Sequence, residues 1–126
     1  MAWKNFRIKD KGLRNDTKAF VRGHYERLEE LEAIAWSSSS PGGPSRGSGP
    51  GRPTESKAIK AARISRDVQA VEKALEKIPE YFRQPVLTHI VDRASWPRLA
   101  DQRTYRHYQD KFLWYVNEYR ERLPRV

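Results

Sequence analysis

Five side chains near the start of the last predicted helix have the chemistry to address a polyanion: Gln102, Arg103, Arg106, His107 and Lys111. Arginine forms bidentate hydrogen bonds to guanine, and glutamine pairs with adenine through its amide. The five fall largely away from an aromatic stripe of Tyr105, Tyr108, Phe112, Tyr115, Tyr119 and Leu123, which recurs at steps of three or four. A helix built this way buries its rings and shows a cationic shoulder near its N-terminus.

Covalent and metal chemistry find no such support. There is no Ser, Cys or His nucleophile pattern and no cysteine at all. The Gly-rich tract at 42–51 lacks the strand context and the Gly-Lys-Ser/Thr ending of a phosphate-binding loop. His24, His89 and His107 have no metal-ligand spacing among themselves, and the His107–Asp110 pair alone does not make a site. The expectation is a protein that is not an enzyme and carries no metal or cofactor.

The elements that must position the five residues can be traced along the chain. The last helix is predicted from Asp101 or Gln102 to Leu123, with Asp101 as N-cap and Pro124 as terminator. A short connection, RASWPRLAD at 93–101, precedes it. Before that, residues 79–92 read as a helix with Pro79 at its first position and a kink expected at Pro85. Residues 16–36 read as a helix capped by Asn15 or Asp16, with an acidic middle of Glu26, Glu29, Glu30 and Glu32. Residues 54–78 read as a helix capped by Thr54. Its seam of Ala61, Ile64, Val68, Val71, Leu75 and Ile78 suits either the first helix or a second copy of the chain, giving a homodimer.

Between these two helices, residues 37–53 are Ser, Gly and Pro except for Arg46 and Arg52. Such a segment has nothing to bury and is expected to be a disordered tether. The predicted fold class is therefore all-α. It comprises a basic N-terminal arm over 1–15, a helical hairpin over 16–78 interrupted by the flexible linker 37–53, and a helix-turn-helix-like pair over 79–126.

The chain has 126 residues and a formal net charge of +9. Such an excess speaks to partners and not to fold. Phosphate contacts are expected from Lys4, Arg7 and Lys9 of the arm, from Lys57, Lys60 and Arg63 of the second helix, and from Arg98 of the connection. No apolar stretch is long enough to span a membrane, and the start lacks the apolar region of a signal peptide. A bacterial host cytosol fits these features.

The layout resembles the phage-encoded RinA/ArpU-type late transcriptional regulators. The matching stretches are His24-Tyr25-Glu26, the 37–53 gap, and Ala74 through Arg83 with its Ile78-Pro79 step. Thr104-Tyr105-Arg106-His107-Tyr108 and Phe112-Leu113-Trp114-Tyr115-Val116 complete it. The resemblance implies a DNA-binding activator of prophage late genes that touches RNA polymerase, with a C-terminal region similar to the sigma-70 region 4 helix-turn-helix. Residues 93–101 are shorter than such regulators require for a middle helix. Two other readings compete. One is an oligomeric structural or packaging subunit, similar to a small terminase, held together by the Ala61–Ile78 seam. The other is an RNA-binding helical protein, which the charge permits although no RNA-binding motif is present.

Overall fold

A computed structural model describes residues 5–39 and 52–122, with the side chains of 37–39 and 52–56 left aside. The described residues are all-α. Five helices follow an extended segment: α1 (Lys11–Arg22), α2 (His24–Ser39), α3 (Arg52–Leu75), α4 (Glu80–Asp92) and α5 (Gln102–Arg122).

The first expected helix is thus two, and it begins earlier. Asp10, not Asn15 or Asp16, caps it, accepting from the Leu13 N–H at 3.2 Å. Gly23 breaks the rod, and the chain resumes as α2 at once. α2 packs against α3 as a helical hairpin, while α1 packs on α4 and α5.

The ends of the expected tether also move. Ser37–Ser39 belong to α2, and Arg52 and Pro53 open α3, so Thr54 lies inside that helix and is not its cap. Proline suits a first turn because its missing N–H would find no partner there. The middle of the tether lies outside the described residues. Pro79 occupies the cap position of α4 and not its first helical position, and Pro85 is accommodated within the helix without a break. Arg93 ends α4 at φ 57°, a left-handed residue of the kind that commonly closes helices. Asp101 caps α5 as expected, accepting from the Arg103 N–H at 2.9 Å.

One core unites these elements. Ile8, Val21, Val71, Ala74, Ile78, Val86, Leu87, Ile90, Phe112, Leu113 and Val116 form a single buried cluster. The helical hairpin and the C-terminal pair therefore share their interior. α5 lies at the centre, packed by α1, α3 and α4. The Ala61–Ile78 seam is spent here: Val71 and Ile78 are fully buried, and Ile64 and Val68 nearly so. A homodimer through that seam would require unpacking the chain's own core, so this route to self-association is corrected.

Helix C-termini expose carbonyls that no backbone N–H can reach. Arg83 of α4 adds a cap to α3: its Nε donates at 2.9 Å to the Leu75 carbonyl, which also accepts from the Ile78 N–H at 3.2 Å, and at 3.1 Å to the Ile78 carbonyl. Replacing it by methionine keeps most of the apolar stem and removes both bonds. Arg83→Met should lower stability by about 1.5–3 kcal/mol, read as a lower urea midpoint at unchanged slope. A loss below about 0.5 kcal/mol would show that water caps α3 equally well.

Candidate nucleic-acid interface

The first turns of α5 present Gln102, Arg103 and Arg106 to solvent, as the sequence predicts. Arg106 Nη2 reaches the Gln102 amide oxygen at 3.5 Å, one helical turn away. The buried residues of α5 are Tyr105, Gln109, Phe112, Leu113 and Val116, so the exposed shoulder ends within two turns of the helix start.

His107 and Lys111 do not belong to that shoulder, and the reason is the N-terminal segment. Residues 5–10 are extended and fold back onto α5. Phe6, 8% exposed, sets its ring 6.3 Å from His107, 6.2 Å from Trp114 and 5.8 Å from Tyr115. The Lys111 ammonium sits 5.5 Å over the same ring, a cation–π contact. Both residues are half-buried beneath this cover. Burial first, then the nearby Lys111 charge, lowers the His107 pKa below its ordinary value. Their expected exposure on the shoulder is therefore corrected. The arm itself is no loose tail: Phe6 and Ile8 anchor it, and only its alternate residues, Arg7 and Lys9, face outward. Lys4 lies outside the described residues.

Folding the arm back creates a cationic surface that the sequence alone does not assemble. A depression of about 550 Å³ is lined by Asn5, Arg7, Ile8, Lys9, Lys11, Arg14 and Asn15. A second cleft of about 460 Å³ adjoins it through Arg7 and Arg14, and is completed by His89, Trp96, Arg106, Gln109 and Asp110. Arg7, Lys9, Lys11, Arg14 and Arg106 thereby form one continuous patch around the exposed start of α5. Asp110, in the second hollow, is the carboxylate among these lining residues, and it is already held by Arg14 at 3.0 Å. The chain matches no protein-family model, no curated protein and no solved structure.

The remaining expected phosphate contacts divide. Arg98 is exposed in the connection just before α5. Lys57, Lys60 and Arg63 are exposed too, but elsewhere. α3 runs against α5 in the opposite sense: Arg66 bonds the Arg120 carbonyl, and Lys77 lies over the Tyr115 ring at 5.5 Å. The stretch 57–63 is thus beyond the C-terminal end of α5, whereas Arg103 is about 25 Å away along that helix. Lys60 is also paired with Glu30 of α2 at 2.8 Å. The structure does not bring this row together with the α5 shoulder.

Sequence reasoning missed Lys11 and Arg14, taken as part of an arm or helix start, and the lining residues His89, Trp96 and Gln109. Trp96 stands between two rings, stacked on His89 at 3.6 Å and on Tyr105 at 5.3 Å between centroids. No one-dimensional pattern signals a contact between three residues on two helices and a loop. Among the described residues no group of three His, Asp or Glu side chains is placed to hold a metal.

Two histidines make the fold sensitive to acid. His24, 4% exposed, has its pKa lowered from 6.5 by burial and then by Arg27; His107 is lowered likewise. The unfolded chain therefore binds protons before the folded chain does. Their contribution to stability is complete above about pH 6.5 and is lost as pH falls through the depressed folded values. The urea midpoint should be lower at about pH 5 than at about pH 7.5, and His24→Gln should flatten that dependence. An unchanged pH slope in His24→Gln would remove His24 from this account.

Proposed function

We propose that the chain is a duplex-DNA-binding regulator of a phage or prophage, acting in the manner of a late-gene activator in a bacterial host. The observation that carries the reading is the patch of Arg7, Lys9, Lys11 and Arg106 around the exposed start of α5, whose lining carboxylate, Asp110, is already neutralised by Arg14. Polyanion affinity depends on cations that the fold has not consumed. Arg7, Lys9 and Lys11, with Arg98 of the connection, would hold phosphates and set orientation. Gln102, Arg103 and Arg106 would enter the major groove and read base edges.

The same geometry limits the insertion. Only the first two turns of α5 project, since the helix is packed on three sides beyond them. Recognition would span few base pairs, and non-specific phosphate contacts would supply much of the affinity. The role in transcription and the contact with RNA polymerase rest on the resemblance to late regulators.

Duplexes selected from a random pool provide the test by mobility shift. Arg103→Ala and Arg106→Ala should each weaken binding to the selected duplex by about 1–3 kcal/mol while changing random duplex much less. Lys9→Ala should weaken both alike and reduce the salt slope by about one. Equal losses on selected and random DNA for both arginine variants would overturn base reading by α5.

A further inference from the structure

We propose that the cleft between the N-terminal segment, α1, α4 and α5 is a binding site for a nucleoside monophosphate, its phosphate taken by Arg7 and Arg106 and its base edge by the amide of Gln109. The proposal stands on the cleft itself and does not require the DNA-binding reading.

Three observations define the ligand. The first is Gln109. It is 5% exposed, it lines the cleft, and its Oε1 finds no hydrogen-bond partner. Buried polar atoms are nearly always paired, and an orphan in a cleft wall is a group waiting for a donor. A primary amide offers a donor and an acceptor side by side, the pairing that matches the edge of a nucleobase.

The second is the state of the arginines. Arg14 is committed to Asp110 at 3.0 Å, so that pair contributes little net charge. Arg7 and Arg106 have no carboxylate partner among the described residues, and Arg106 touches only the Gln102 amide. Two uncommitted guanidiniums on one cleft suit a dianionic phosphate, which accepts forked hydrogen bonds.

The third is the aromatic wall. His89 Nδ1 lies 2.6 Å from the Ala94 carbonyl, which only accepts, so Nδ1 carries the hydrogen. That bond and the stack on Trp96, with planes 15° apart, fix the imidazole in place. Trp96 is itself held between His89 and Tyr105, so a planar base would stack on the outer face of His89, beside the Gln109 amide. At about 460 Å³ the cleft falls in the size range of small-molecule sites. A bare phosphate would leave Gln109 unused, and an uncharged base would leave the guanidiniums unused.

Titration calorimetry of the full chain tests this with each of the four ribonucleoside monophosphates, with the matching nucleosides and with inorganic phosphate. At least one monophosphate should bind with one-to-one stoichiometry, about tenfold or more tighter than inorganic phosphate and than its own nucleoside. Gln109→Leu should abolish that preference and leave the weak phosphate binding as it was. Gln109→Glu, closer in shape, should lose monophosphate binding through charge repulsion, and it serves if the leucine variant does not fold. Duplex binding by the same Gln109→Leu protein should be unaltered, so a failure of DNA binding bears only on the earlier reading. If no monophosphate exceeds inorganic phosphate, or if both Gln109 variants keep the preference, the cleft is not a nucleotide site.

Discussion

Arginine capping of helix C-termini is the interaction on which this fold depends. Arg27 donates to the Phe20 carbonyl at the end of α1 at 2.6 Å. Arg83 closes α3, Arg22 Nε reaches the Ile90 carbonyl near the end of α4 at 3.2 Å, and Arg66 holds the Arg120 carbonyl near the end of α5. In each case a guanidinium meets a last-turn carbonyl and the negative end of a helix dipole. Arg22, Arg66 and Arg83 come from a different helix than the one they close, and Arg27 reaches back across the Gly23 break. The caps therefore also fix how helices meet. Arg27 adds a cation–π contact to Phe20 at 4.0 Å, and Arg120 approaches the same ring at 4.7 Å.

This changes the meaning of the net charge. A formal +9 invites the view that every cation is available to a polyanion. Four arginines are instead structural, and others are paired: Arg14 with Asp110, Lys60 with Glu30, Arg120 with Asp16 at 3.0 Å. Among the described residues, the arm, the connection and the first turns of α5 keep one group of exposed cations outside these pairs. Distribution, not total charge, makes the surface.

Sequence periodicity revealed what periodicity controls. Of the aromatic stripe of α5, Tyr105 and Phe112 are fully buried and Tyr108, Tyr115 and Tyr119 half-buried; the apolar seam is buried at Ile64, Val68, Val71 and Ile78, and Asp101 caps α5 because a side-chain oxygen there answers the first free N–H groups. What stayed hidden were interactions between distant parts of the chain. Alternation of Phe6, Arg7, Ile8 and Lys9 is a strand-like signal, yet nothing local says that the segment will lie on α5 and cover His107 and Lys111. The single helix expected over 16–36 runs through Gly23, but the break there lets α2 follow α3 while α1 packs on α4 and α5. The seam of α3 was ambiguous in principle, since an apolar stripe does not state whether its partner is the same chain or another. Burial of Val71 and Ile78 against α4 and α5 decides it.

Arg106 links the two proposed roles of the surface. It stands on the exposed start of α5, where a base edge would meet it, and on the wall of the cleft, where a phosphate would. A single guanidinium cannot hold both ligands in full. Linkage then requires that a nucleotide in the cleft and a duplex on the α5 shoulder weaken each other by the same free energy, in which the share of Arg106 is at most its contribution to base reading, about 1–3 kcal/mol. Because Arg7 also serves both, the phosphate contacts of the arm would weaken with it. A small nucleotide would thus act on DNA affinity by direct competition for two side chains. The central packing of α5 leaves its rigid body unmoved, so the fold needs no conformational change to couple the sites.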